Sequence, residues 1–277
     1  IAKVGGFAAL LRVFFSTFHS LAPDWQPLLW AVAIVTLVVG AVLGLVQRDI
    51  KRMLAYSSIN HAGFILLGLQ AATVSGISSS LYYVFVYAFL VLGSFTVIAV
   101  VGGTGDRHHS LDAYRGLGRR QPVLALCFAI LLLAQAGAPF TTGFLGKLYV
   151  VESAVQAHSY ALAVIAMLSG AVAAAFYLRV VFLMYGGGVA AAGEASGAET
   201  GSEPAEGAAP MPAGAVAVAV ADPATTVTAT TTAGGQGRLA IPLGSQIGLF
   251  LTVGFTLVFG IWPGPLFSFV HAAGLAF

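Results

Sequence analysis

Charge is what this sequence has least of. Only 8% of its 277 residues are Asp, Glu, Lys or Arg, against about 25% in a soluble domain. Together with 58% hydrophobic residues and a mean hydropathy of +0.93, that scarcity excludes an ordinary water-soluble chain and points to the membrane. Lysine is rarer still: there are Lys3, Lys51 and Lys147 and no others. The net charge of +2 carries no nucleic-acid signature. The single cysteine, Cys127, rules out an internal disulfide and a CxxC pair and reads as a quiet apolar residue. No P-loop, GxGxxG or GxSxG motif and no cysteine cluster for iron–sulfur is present. There is also no initiator Met and no signal-peptide layout. The opening apolar run, Ile1 to Phe15, is shorter than the about 20 residues that span a bilayer. The expectation is a fragment whose upstream helices are missing.

What is present is a series of seven apolar runs, near 1–16, 28–46, 54–71, 79–102, 122–157, 160–185 and 245–272. Most are apolar all round, as suits lipid or a packed bundle. The expected fold is all-α, a polytopic transmembrane helix bundle of about seven spans. Gly40 and Gly44 have the GxxxG spacing that lets helices approach closely, a weak motif by itself. The intervening loops alternate in charge. Loop two holds Arg48, Lys51 and Arg52, and loop four holds Arg107, Arg115, Arg119 and Arg120. Loops one, three and five, near 17–27, 72–78 and 155–160, hold no Lys or Arg. The positive-inside rule makes the even loops cytoplasmic and puts the C-terminus outside. Loop six, 186–244, is a tract of Ala, Gly, Thr and Pro with four glutamates. Its composition buries too little apolar surface to offset ordering, so it reads as a flexible cytoplasmic insertion. Three regions are therefore expected: a bundle of six spans over 1–185, the insertion over 186–244, and a last helix with the C-terminus over 245–277.

The fifth span is too long to be one straight helix. Pro122 to Ala157 is 36 residues, about 54 Å at helical rise, against a hydrocarbon core of ~30 Å. Pro139 removes a backbone donor, and Gly137 and Gly143 ease bending. The expected break lies near 137–143. At membrane depth a break is tolerated only when buried in protein or facing a wet cavity.

Lys147 lies just past that break. An ammonium group at the bilayer centre costs about 2.5–3.5 kcal/mol on insertion scales. One withdrawn from water also gives up its proton more readily, which makes a buried lysine a plausible proton carrier. The competing reading is snorkelling to the interface. Lys147, deep in a long span, favours function. Lys51, beside Arg48 and Arg52, favours an anchor, and the depth of Lys3 is obscured by its place in the first run. His61 follows Tyr56, Ser57, Ser58 and Asn60, an unusually polar stretch for a span. A proton-relaying histidine and a neutral one bonded to a neighbouring hydroxyl both stay open. His108 and His109, with Asp106 and Asp112, match no standard metal spacing and read as a solvated loop.

The stretch "DIKRMLAYSSINHAGFILLG" resembles the signature of the antiporter-like membrane subunits of respiratory complex I, and "LLLAQAGAPFTTGFLGKLYV" resembles their broken helix. "HSLDAYRGLGRRQP" and "LVFGIWPGPLFSFV" are similar to the subunit-N type within that family, in bacterial NADH:quinone oxidoreductase. The resemblance covers nearly the whole chain except 186–244 and corresponds to the last seven of fourteen helices. It implies a proton-translocating subunit driven by quinone reduction elsewhere in the complex. By motif position, Lys3 resembles the central connecting lysine and Lys147 the lysine that passes protons toward the outer side. His61 and Lys51 match positions in the family's tenth helix, so the resemblance implies proton translocation through Lys3, Lys147, His61 and Lys51. The resemblance implies no cofactor in this chain, with quinone, FMN and iron–sulfur clusters in other subunits. It implies other complex I membrane subunits as partners and a bacterial inner membrane as location. Subunits of multisubunit cation/proton antiporters, secondary transporters without a redox partner, carry a pattern like "GFLGK" and are the alternative.

Overall fold

The computed structural model describes residues 2–103, 110–186 and 242–275. Asp106, His108 and His109, and nearly all of the 186–244 tract, lie outside the described residues. Among the described residues the regular structure is helical, with one isolated antiparallel bridge between Asp49 and Ser110. This is the expected all-α membrane bundle. Helices dominate because a lipid-embedded backbone must satisfy its N–H and C=O groups within its own segment.

The first run forms α1 (Ala2–Arg12), prolonged by a π-turn over Val13–Thr17. A short 3-10 turn, His19–Leu21, leads into α2 (Ala22–Val46). That helix starts six residues earlier than its apolar run, because Pro23 sits in the first turn, where a missing N–H is no loss. α3 (Ile50–Gln70) is capped by Asp49, whose carboxylate accepts from the amides of Lys51 at 2.8 Å and Arg52 at 3.0 Å. α4 (Val74–Gly102) is capped by Thr73. A 3-10 turn at Leu111–Tyr114 and the single turn α5 (Leu117–Arg120) precede α6 (Pro122–Ala136). Next come α7 (Thr142–Gln156), α8 (Tyr160–Gly186), α9 (Leu243–Ile261) and α10 (Gly264–Leu275). Among these, α2, α4, α8 and α9 are each long and apolar enough to cross a membrane.

The last run is where the structure departs from the sequence reading. It is not one helix over 245–272 but two, α9 and α10, parted at Trp262 and Pro263. Proline supplies no amide to continue the ladder, and it drives the preceding residue out of the helical region; Trp262 sits at φ −123°, ψ 78°.

Packing centres on α4, which touches α3, α6, α7, α9 and α10. α2 lies on α3 and α8 through its two spaced glycines. A Cβ on Gly40 would strike the backbone of Asn60, and one on Gly44 would meet the ring of Phe176. Small residues at that spacing therefore set two close approaches, not one. Cys127 is buried in the larger apolar cluster, among residues of α4, α6 and α8.

Candidate functional site

The fifth run breaks as expected, between α6 and α7. Gly137 closes α6 in the left-handed region, at φ 95°, which a glycine adopts without a Cβ penalty. Thr141 then caps α7, its hydroxyl accepting from the amide of Phe144. A helix end leaves four carbonyls without helical partners, and all four can be accounted for. Leu133 O accepts from the amides of Gly137 and Ala138, and Ala134 O accepts from Gly137. Gln135 O and Ala136 O accept from Lys147 Nζ, at 2.9 and 2.8 Å. The break thus releases two carbonyls at the negative end of a helix, and the ammonium group of the next helix binds them. Lys147 is 9% exposed. Its Nζ also lies 5.2 Å from the centroid of the Phe64 ring, within cation–π range. Gly137 makes the room, since a Cβ there would lie 3.2 Å from Lys147 Cδ.

His61 sits one helical turn from Phe64 on α3 and is 3% exposed. Both ring nitrogens are occupied. Nδ1 is 2.7 Å from the hydroxyl of Tyr83 on α4, and Nε2 is 3.0 Å from the hydroxyl of Tyr177 on α8. Tyr177 Oη also meets Ser57 Oγ and donates to Gln135 Oε1 at 3.4 Å. Gln135 is the residue whose backbone carbonyl holds Lys147, so one residue links the two titratable groups. The Tyr87 ring packs on His61 at 4.7 Å between centroids. Beside it is a cavity of about 10 Å³, lined by His61, Tyr83, Tyr87, Gly143 and Gly146 among others. At the break, Thr142 Oγ1 is buried with no hydrogen-bond partner among the described residues.

Lys3 is exposed, and its Nζ donates to Ser58 Oγ. Ser58 Oγ in turn donates to Ala55 O at 2.7 Å. His61 and Lys147 therefore belong to one run of polar groups that crosses α4, α3, α8, α6 and α7, while Lys3 meets α3 at Ser58, three residues before His61. Lys51 stands at the start of α3, ten residues before His61, or about 15 Å along the axis. Asp112 is exposed and paired with Arg115 at 3.6 Å. Among the described residues no group of three His, Cys, Asp or Glu side chains could hold a metal ion. Sequence reasoning missed Tyr83, Tyr177, Gln135 and Phe64. Gln135, an amide inside an otherwise apolar helix, was a signal available to it.

The family model described as NADH:quinone oxidoreductase/Mrp antiporter, TM, matches residues 1–173. NADH-quinone oxidoreductase subunit N of Parafrankia sp. (strain EAN1pec) is 49% identical over 167 residues, 60% of this chain and 32% of that protein. Among solved structures, a chain of the membrane-bound sulfane sulfur reductase, an archaeal respiratory membrane complex, is 25% identical with a TM-score of 0.71. That match covers 97% of this chain and 46% of the other. A chain of respiratory complex I from Thermus thermophilus is 25% identical with a TM-score of 0.59, over 87% of this chain and 45% of the other. The chain spans about a third of the curated relative and under half of each solved chain.

Proposed function

Because this chain belongs to the NADH:quinone oxidoreductase/Mrp antiporter transmembrane family, we propose that it is a proton-translocating membrane-arm component of an NADH:quinone oxidoreductase. Quinone reduction elsewhere in the complex drives it. The chain itself holds no redox centre; FMN, iron–sulfur clusters and quinone belong to other subunits. Its partners are the neighbouring membrane subunits and the lipid of a bacterial cell membrane. Loops two, four and six face the cytoplasm, the last being the 186–244 insertion, and the C-terminus faces outward. Protons move through Lys3, His61, Lys147 and water, while Lys51 anchors the start of α3 near the surface.

The observation that carries this reading is the pair of carbonyls on Lys147. An ammonium group has three hydrogens. Two are given to Gln135 O and Ala136 O, and the third is the proton that can leave. The neutral amine keeps two N–H donors, so both carbonyls stay satisfied after release. The site therefore supports the charged and the neutral lysine alike, which is what a carrier requires. A structural lysine would need only the charged form. Arginine fills the same space with a cation that does not deprotonate.

The family description also covers cation/proton antiporters. Co-purification of flavin and iron–sulfur subunits with the full-length chain separates the two readings, since an antiporter would bring neither. The carrier role itself is tested by proton uptake into inverted vesicles, normalised to assembled complex. Lys147→Ala and Lys147→Arg are both expected to depress quinone-coupled uptake. Uptake at the wild-type level in Lys147→Arg would defeat the carrier and leave an anchor.

A further inference from the structure

The hydrogen-bond partners around Gln135 assign a proton to one nitrogen of a ring two residues away in the network. Ser94 Oγ spends its only hydrogen on Leu90 O, at 2.8 Å. It can therefore only accept from Gln135, whose side-chain nitrogen lies 2.7 Å away. The same nitrogen faces Leu131 O at 3.4 Å. Turning the amide over would set its oxygen against the Leu131 carbonyl and draw the Ser94 hydrogen away from Leu90 O. The carbonyl favours Nε2 on that side, and Oε1 then faces Tyr177. An amide oxygen only accepts, so the one hydrogen of Tyr177 goes to Gln135. Tyr177 Oη is left with acceptor sites alone. Ser57 Oγ can fill one of them by donating, and His61 Nε2 must fill the other with an N–H.

We propose that Tyr177 and Gln135 fix neutral His61 in a single tautomer, hydrogen on Nε2, so that Nδ1 is the nitrogen that takes up a proton. Nδ1 then accepts from the Tyr83 hydroxyl and faces α4, where Tyr83 and Tyr87 line the small cavity. The acceptor side of His61 is thereby turned toward α4 and the cavity that Gly143 and Gly146 of α7 also line. When a proton arrives, Nδ1 gains an N–H bond, and Tyr83 rotates its hydroxyl from donor to acceptor. Tyr177 keeps its orientation throughout. Tyr177 and Gln135 are positioning residues: they act through the histidine and take no proton. The tautomer follows from hydrogen-bond accounting alone. Its use in proton transfer rests on the function proposed above.

The test is nitrogen-15 and carbon-13 solid-state NMR of histidine-labelled, assembled complex in membranes at alkaline pH. The His61 signal is taken as the difference from His61→Gln. Leaving buried Gln135 Oε1 without a donor costs enough to favour the Nε2–H form by about tenfold. Tyr177→Phe removes the acceptor for that N–H and is expected to invert the ratio toward Nδ1–H. Gln135→Leu frees the Tyr177 hydrogen for Nε2 and should do the same, which covers failure of either variant to assemble. Nδ1–H or an even mixture in the wild type overturns the proposal, as does an unchanged tautomer in both variants. The readout is independent of pumping, so an active Lys147→Arg would sink the carrier role and leave this assignment standing.

Discussion

Gly143 provides a test in which two physical effects oppose each other and their sizes decide the sign. It lies one turn before Lys147 on α7, with ordinary helical backbone. By propensity alone, Gly143→Ala should stabilise that helix by about 1 kcal/mol. A Cβ there, however, would overlap the carbonyl of Ala134 at the end of α6. The neighbour is backbone, held in place by the cap at Gly137, and cannot swing aside as a side chain would. The two helix ends must part by about 1.5 Å before carbon and oxygen reach van der Waals separation. Overpacking of that kind costs about 1–3 kcal/mol and occasionally more, so the net effect is destabilising. Function should suffer more than stability. Lys147 would be carried off the carbonyls of Gln135 and Ala136, and a misplacement of about 1 Å can cost on the order of a hundredfold in rate. The control is Gly254→Ala in α9, where a Cβ would meet nothing within 4 Å; it should be neutral or stabilising. The assay pairs thermal dissociation of the assembled complex with proton uptake into inverted vesicles. If Gly143→Ala matches Gly254→Ala in both, the close approach at the break does not exist as described.

Two further outcomes can be checked with the same preparation. Asp49→Ala removes the acceptor for two amides at the start of α3 and should cost about 1 kcal/mol, seen as earlier thermal dissociation with pumping per assembled complex unchanged; an unaltered melting profile would refute the cap's contribution. Deletion of 190–238, on the strength of its composition alone, should leave assembly of the membrane arm intact, and loss of the assembled complex would sink the view of that tract as a dispensable insertion.

The site was half legible in the sequence. Lys147 was found because an ammonium in an apolar run is costly, and because Gly137, Pro139 and Gly143 beside it mark a break. Both signals are local. Tyr83 and Tyr177 were not found, because a tyrosine within an apolar helix usually only packs. Their meaning arises when α4 and α8 bring them to opposite nitrogens of His61, from 22 and 116 positions away. Both nitrogens of His61 lie within hydrogen-bond reach of hydroxyls, which fits a neutral histidine. That arrangement is compatible with relay, since the hydroxyl of Tyr83 can either donate or accept. The second break went unread for a different reason. Pro263 was visible, but apolar residues continue on both sides of it, and hydropathy reports burial in lipid without reporting helical continuity.

The broken helix also explains why Lys147 can be buried at all. In a continuous helix through residues 133–147, Ala136 O would be taken by the amide of Phe140, and Gln135 O, opposite Pro139 with no N–H to give, would lie about 18 Å along the axis from Lys147. The ammonium group would then face α3 and α8 with the Phe64 ring as its main attraction, worth about 2 kcal/mol when desolvated. An uncompensated buried cation costs several kcal/mol or more. Breaking the ladder reverses the balance, because charge-assisted hydrogen bonds contribute about 1.5–3 kcal/mol each and the helix end adds its own negative partial charge. The neighbouring break supports the first one sterically. A Cβ on Gly260, at the end of α9, would strike the carbonyl of Phe140, so α9 closes against the exposed turn at the level where α6 stops. Two helices interrupted side by side thus give irregular backbone a protein neighbour in place of lipid, the condition under which it persists at that depth.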